Sequence, residues 1–375
     1  MHRRNDRFTR HRGHSQIMQQ LSGARILVAP LDWGLGHAAR CVPIVQALLE
    51  RGAVPVLGAG AGPLALLREE FPSLAYVRIP GVQVRYAKGK SQLWSMARQF
   101  PAMVYSVRTE KALFDRLRQQ LRLDAVISDQ RFGIRSAELP SVLITHQVFP
   151  FTPFAQGALR HLNLRHIARF DRCWVMDEAV SPGLAGELSH GPSLPSNARY
   201  IGPISRFAPE GASSQVPRHR IVAVISGPEP QRTLLEGILL DQLQDIEGRH
   251  LLVQGLPAQP VDRQKGNVRV MSHLAGEALR QALFGADLIV SRSGYTTLMD
   301  LAAIGRSALI IPTPGQQEQE YLGRLHLRSG RFLVQQQQDI DLRAALEMDH
   351  VHTAPAPGSS LLSEALDDLS SLLAR

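Results

Sequence analysis

The chain has 375 residues, 44% of them hydrophobic and 20% charged, which excludes a disordered chain and, at about 150 residues per domain, predicts two domains. Its two cysteines, Cys41 and Cys173, exclude a disulfide framework and a cysteine-based zinc site and fit a reducing compartment. The net charge of +9 is partly held in an arginine-rich start, so the body is mildly basic, which suits anionic substrates or anionic lipid surfaces; no basic block interleaved with aromatics points to nucleic acid.

In chain order, MHRRNDRFTRHRGH lacks an apolar stretch and does not read as a secretory signal; residues 1–23 are expected to form a basic disordered tail, with Met18 as an alternative start. Residues 24–30, ARILVAP, read as a buried strand. The turn Gly34-Leu35-Gly36-His37 follows, then a helix from about Ala38 to Arg51 and a strand at Val54–Leu57. This β-loop-α-β unit opens a parallel sheet. Further strands are expected at Ala75–Ile79, Ala125–Ser128, Ser141–Thr145 and Cys173–Met176. The uncharged runs Gly52–Leu67 and Leu139–Leu159 are too short or too broken by proline and polar residues to span a bilayer.

FAPEGASSQVPRHR, around residues 206–220, reads as a linker. A second alternating run follows. It has strands at Ile221–Ile225, His250–Gln254, Val268–Met271, Asp287–Ser291 and Ser307–Ile311. Helices are expected at Gln231–Gln244, Glu277–Phe284, Thr296–Ile304 and from Gln317. After a proline-rich break an amphipathic helix at Leu361–Leu373 ends the chain. The expected organisation is an N-terminal Rossmann-like domain (24–205), a linker, a C-terminal Rossmann-like domain (221–350) and a closing segment (351–375). In such α/β sheets ligands bind at the carboxyl ends of strands, so the loops there are the candidate sites.

Gly34 to Ala39 fits G-x-G-x-x-G/A, the dinucleotide fingerprint. The second strand, however, ends Leu57-Gly58-Ala59-Gly60, without the carboxylate a nicotinamide or flavin dinucleotide needs. The plainer reading is a tight turn whose amides attract an anion or oxyanion. His37 at its mouth is either a proton acceptor near neutral pH or a helix-start histidine bonded to backbone or water.

In the second half, Ser291-Arg-Ser293-Gly294-Tyr-Thr-Thr297 joins a strand to a helix and can cradle phosphate. Asp300 follows, either bridging two ribose hydroxyls or closing a capping box with Thr297. Pro312-Thr-Pro-Gly-Gln-Gln-Glu-Gln319-Glu320 can bond a polyol or simply start a soluble helix.

In order, Asp287-Leu-Ile-Val-Ser-Arg-Ser-Gly-Tyr-Thr-Thr-Leu-Met-Asp300, Gly305-Arg-Ser-Ala-Leu-Ile-Ile-Pro312 and Gln319-Glu320-Tyr321 resemble the C-terminal domain of glycosyltransferase family 28. Pro30-Leu-Asp-Trp-Gly-Leu-Gly-His37 is similar to the N-terminal glycine loop of that superfamily. Ile127-Ser-Asp129-Gln-Arg131-Phe-Gly133 and Thr145-His146-Gln147 are further marks of a MurG-like branch. The resemblance, over about residues 24–330, implies a GT-B fold: two Rossmann-like domains facing across a cleft. It implies an inverting glycosyltransferase that takes a UDP-sugar, with N-acetylglucosamine or another hexose, as substrate. No separate cofactor or metal is implied.

By position, the resemblance places Asp300 on the ribose hydroxyls and Gln319 on the donor sugar. It places Ser293, Gly294, Ser226 and Gly227 near the diphosphate, and Met271 beside the base through its backbone. Arg206 falls near the donor and His37, in the loop with Gly34 and Gly36, near the acceptor. Two positions depart from the family: the phosphate loop is Ser226-Gly-Pro-Glu-Pro230, with fewer free amides, and the second glutamine of the sugar motif is Glu320.

The expected reaction is in-line displacement, with His37 as first choice of base and Asp129 as second. The diphosphate would be met by helix N-termini and arginine. The alternatives are a nucleotide-sugar epimerase of the same fold and a non-catalytic nucleotide-sugar-binding subunit. Residues 81–111 mix basic and apolar side chains, and Val148-Phe-Pro-Phe-Thr-Pro-Phe154 is apolar. These read either as a face for an anionic membrane and a lipid-linked acceptor, which would place the protein at the cytoplasmic face, or as an ordinary amphipathic helix facing the core.

Overall fold

The structure, a computed structural model, describes residues 21–81, 92–151, 156–207, 218–227, 229–257, 259–348 and 360–375, with the backbone alone over 92–104. Residues 1–20 of the expected tail (1–23), most of the linker, the proline-rich break, residues 82–91 of the basic-apolar stretch and 152–154 of the apolar loop lie outside the described residues.

Two parallel-dominated sheets carry the chain. The first contains β1 (Arg25–Pro30), β2 (Val54–Ala59), β3 (Tyr76–Arg78), β4 (Ala125–Asp129), β5 (Ser141–Thr145), β6 (Arg172–Val175) and β7 (Ala198–Tyr200). Its order is β3-β2-β1-β4-β5-β6-β7. The second contains β8 (His219–Val224), β9 (His250–Val253), β10 (Asp262–Lys265), β11 (Val268–Met271), β12 (Ala286–Ser291), β13 (Leu309–Ile310) and β14 (Leu333–Val334). Its order is β10-β11-β9-β8-β12-β13-β14, and only the β10–β11 pair is antiparallel. The central strands are near-continuous apolar runs, as strands covered on both faces must be; Ile26, Leu27, Val28 and Ala29 of β1 are all inaccessible to solvent.

The helices are α1 (Leu35–Glu50), α2 (Ala61–Glu70), α3 (Gln92–Gln120), α4 (Gln156–Ile167), α5 (Gln231–Gln244), α6 (Gly276–Phe284), α7 (Tyr295–Ala303), α8 (Gln317–Arg328), α9 (Leu342–Glu347) and α10 (Ser360–Leu373). No described helix is long and apolar enough to cross a membrane. Two details correct the expectations. Helix α1 begins three residues earlier than expected, so Gly36 and His37 lie in its first turn. The turn at residues 21–23, expected to lie in the tail, is packed, with Leu21 buried and the Gly23 amide bonded to the Gly52 carbonyl. Asp341 is exposed and caps α9 through the Ala344 amide.

Helix α10 crosses back onto the first half. Its Leu366 and Leu369 are buried, Asp367 pairs with Arg51, and Asp368 pairs with Arg172. On one side of the cleft the end of α2 meets the start of α6: the Gly276 amide lies 3.2 Å from Glu70, and His273 lies 3.4 Å from Glu69. On the other, the Glu187 amide donates to the Tyr321 hydroxyl of α8 (2.7 Å).

Candidate active site

Each sheet has a switch point where its strand order reverses, and the candidate residues gather there. In the first sheet β1 and β4 are neighbours, with Pro30 paired to Asp129 at their carboxyl ends. The chain leaves β1, turns at Gly34 and enters α1. Gly34 has φ 111° and ψ 174°, a region open essentially only to glycine, and no side chain caps the helix it starts. A β-carbon there would meet nothing within 4 Å, so backbone strain alone opposes one. Gly34→Ala is therefore expected to cost about 1–3 kcal/mol in urea unfolding; an unchanged midpoint would show that the turn relaxes.

One turn of α1 brings His37 and Arg40 over the end of β4. Asp129 is fully buried and accepts from Arg40 Nε (2.9 Å) and, through its other oxygen, from Arg40 Nη2. His37 Nδ1 lies 2.8 Å from Asp129 Oδ2 and 2.7 Å from Arg40 Nη2. These two contacts exclude each other as hydrogen bonds: Nδ1 either accepts from Arg40 Nη2 or donates to Asp129 Oδ2. In the tautomer that donates to Asp129, Nε2 keeps a lone pair and can take a proton. Burial holds the His37 pKa below its ordinary 6.5, helped by Arg40 and opposed by Asp129. The Asp129 carboxyl is held down to about 2: burial raises it, but Arg40 and His37 outweigh that. Asp129, the second choice of base, has no exposed surface and three partner contacts, a setting suited to holding His37.

Sequence reasoning missed Arg40. An arginine three residues after His37, inside an apolar helix with no acid at i±4, was the available signal. Its Nη1 lies 2.8 Å from His146 Nδ1. Because guanidinium only donates, His146 Nδ1 must accept, so its Nε2 carries the proton and donates to Glu318 Oε1 (2.8 Å). Burial raises the Glu318 carboxyl, but His146 and Arg40 draw it below its ordinary value overall.

In the second sheet β8 and β12 are neighbours, with Val224 paired to Ser291. The loops Ser226-Gly227 and Arg292-Ser293-Gly294 leave from these ends. Gly227 has φ 117° and open space where a β-carbon would be. The N-terminus of α5 is occupied by the chain's own Glu229, which accepts from Arg232 Nε (2.7 Å) and the Thr233 amide (3.3 Å). Helix α7 has no side-chain cap, and its cap Gly294 also faces open space. Its first amides therefore remain ready for an anion. Thr296 of α7 donates to the Gly36 carbonyl (3.1 Å), which sets this N-terminus against the loop of His37.

Gly294 caps α7, so Asp300 lies in the second turn rather than the first, and the capping box expected with Thr297 does not form. Asp300 is buried; it accepts from Ser205 Oγ (2.7 Å) and stands 3.7 Å from Arg206 Nε. Burial raises its pKa against the pull of Arg206. Arg206 Nε and Nη1 are buried without a hydrogen-bond partner among the described residues. Such orphaned donors call for an acceptor.

Ser293 Oγ donates to the Gln319 carbonyl (2.9 Å), and Gln319 Oε1 accepts from the Thr313 amide and hydroxyl (2.9 Å each). Glu320 turns back to the Gly315 amide (2.7 Å), and the Met271 carbonyl accepts from the Gln254 amide (2.9 Å). Gln319, Glu320 and the Met271 carbonyl are thus all engaged in local structure. Among the described residues no group of three or more histidine, cysteine or acidic side chains could hold a metal.

Residues 259–340 match the family model of the glycosyltransferase family 28 C-terminal domain. The chain is 29% identical over 215 residues to the UDP-N-acetylglucosamine--N-acetylmuramyl-(pentapeptide) pyrophosphoryl-undecaprenol N-acetylglucosamine transferase of Rhodopseudomonas palustris strain BisB5, covering 50% of this chain and 57% of that one. The enzyme of the same name from Desulfitobacterium hafniense is 33% identical over 90 residues, covering 24% of each chain. The matched segment spans a little over half the length of the first relatives. The fold is shared more widely. The glycosyltransferase SnogD from Streptomyces nogalater aligns with a TM-score of 0.56 at 18% identity, covering 94% of this chain and 96% of that one. The glycosyltransferase SsfS6 of Streptomyces sp. SF2575, solved with thymidine diphosphate, aligns with 0.53 at 14% identity, covering 94% and 96%.

Proposed function

We propose that this chain is a MurG-like glycosyltransferase of family 28, on the match of residues 259–340 to that family's C-terminal domain and the shared GT-B fold, and that it transfers a sugar from a nucleotide-diphosphate donor to an acceptor hydroxyl with inversion. The observation that carries the proposal is the hydrogen bond from Thr296 to Gly36. It sets the uncapped N-terminus of α7 beside the first turn of α1, where His37 meets Asp129.

In this reading His37 Nε2 takes the acceptor proton as the hydroxyl oxygen attacks the anomeric carbon. The bond from that carbon to the diphosphate breaks on the opposite face. The charge left on the diphosphate is met by the amides at the start of α7 and by Arg206. Asp300 takes the ribose hydroxyls, and the glycine turn at 34–36 gives the acceptor room. The α5 N-terminus, already filled by Glu229, contributes less to the diphosphate. The name of the curated relatives specifies UDP-N-acetylglucosamine and a pyrophosphoryl-undecaprenol acceptor. Carried to this chain, that favours a UDP-sugar of N-acetylglucosamine or another hexose, and a lipid-linked acceptor met at the inner face of an anionic membrane.

The test is thermal stabilisation by a panel of nucleotides and nucleotide sugars, since a ligand that binds only the folded state raises the melting temperature. UDP and one UDP-sugar are expected to stabilise the protein selectively. Asp300→Asn should weaken UDP about 10- to 100-fold, the size of a charged hydrogen bond lost to a hydroxyl. No response to any nucleotide, or an Asn variant that binds UDP as the wild type does, would overturn the donor site.

A further inference from the structure

Four polar side chains form one continuous path across the cleft. It runs from Asp129 to Arg40, from Arg40 Nη1 to His146 Nδ1 at 2.8 Å, and from His146 Nε2 to Glu318 Oε1 at 2.8 Å. Asp129, Arg40 and His146 are 0%, 1% and 3% exposed, and the Glu318 side chain, at the rim, is 23% exposed. The first three belong to one half of the protein and Glu318 to the other. A path this dry is costly unless every member is satisfied, so its geometry is closely determined.

His146 is held from each side. Arg40 bonds it from α1, with His37 and Asp129 of β4 on the far side of Arg40; Glu318 faces it from α8, and Gln147 Nε2 lies 3.3 Å from its Nε2. Tyr295 of α7 stacks on its ring at 4.2 Å and 2°, and the Tyr295 hydroxyl is anchored on the Met176 carbonyl of the first half. The tautomer is forced by the donor-only guanidinium at one end, so Glu318 must accept at the other.

We infer that His146 and Glu318 are positioning residues, which carry the docking of α8 through Arg40 to the His37–Asp129 pair. With α8 in place, the Glu318 carboxylate draws on the His146 N–H, and His146 Nδ1 draws on Arg40. A second anion then shares the Arg40 charge with Asp129, and His37 feels less of that charge. His37 is a stronger base with α8 docked than without it. The start of α8 also carries Gln319, which the family resemblance places on the donor sugar. One helix therefore serves both the donor and the strength of the base. The catalytic meaning rests on the glycosyltransferase reading; the coupling itself does not.

The experiment is a histidine-ring NMR titration of the full chain without ligand. Glu318→Gln keeps the size of the side chain and an oxygen to accept the His146 proton, and it removes only the charge. The His37 pKa is expected to fall by about half a pH unit, because a nearby anion that favoured the protonated ring is gone. Glu318→Asp, which keeps the charge, should recover most of the shift. A purely structural role for Glu318 predicts an unchanged His37 in the Gln variant, and that result would overturn the inference. A second measurement does not depend on the variants folding. In the wild-type protein, ring nitrogen shifts must show His146 protonated at Nε2 and bare at Nδ1; a proton on Nδ1 overturns the inference by itself. Both readouts are free of nucleotide, so their failure leaves glycosyl transfer to the stabilisation test.

Discussion

His37→Ala is expected to lower turnover roughly 100- to 10,000-fold, the usual contribution of a positioned general base, while stabilisation by UDP stays as in the wild type. The two measurements separate because His37 belongs to the first half and the proposed donor contacts to the second. Turnover can be followed without a known acceptor as hydrolysis of whichever UDP-sugar stabilises the protein, with water in the place of the hydroxyl. The pH profile adds a sign. Burial, aided by Arg40, keeps the His37 pKa below 6.5, so its base form persists into mildly acidic solution. The acid limb of wild-type turnover should therefore lie below pH 6.5, and it should vanish in the alanine variant. Turnover within about threefold of wild type would remove His37 from the chemistry.

Arg40→Met is expected to have the largest effect on stability, about 3–5 kcal/mol at neutral pH, because it strips a buried carboxylate of its only described cation apart from His37. With Arg40 present, Asp129 is depressed from 3.8 to about 2. A depressed carboxylate adds stability that is complete above pH 3.8 and is lost as the pH falls through about 2. Without Arg40, burial dominates and pushes the Asp129 pKa up instead. Keeping it ionised then costs stability at neutral pH, and protonation on acidification relieves that cost. Urea melts of wild type and variant at pH 7 and at about pH 4.5 should show a deficit that shrinks at the lower pH. In the variant His37 also becomes the only cation beside Asp129, so its pKa should rise and carry the acid limb of turnover upward. A deficit equal at both pH values would mean that Arg40 contributes packing rather than charge.

The central strands and the family 28 motifs were legible because they are local. Runs such as ILVA at 26–29 and LIVS at 288–291 are buried on both faces and show it in composition. The turns at Gly34 and Gly227 were legible because only glycine takes their backbone angles without strain. The short strands β7, β10 and β14 were not, since each is defined by a neighbouring strand rather than by its own pattern.

The amino-acid sequence by itself determined the two-sheet α/β architecture, the glycine turns at the switch points and His37 as the candidate base, since each follows from local periodicity or from a short motif. Only the tertiary structure decided what those residues contact. Arg40, 89 positions from Asp129, closes on it as a buried ion pair; His146 and Glu318, 172 positions apart, join the halves of the cleft. Charge pairing between buried groups depends on distance in space and on the loss of water around them. Neither quantity is written in the spacing of residues along the chain.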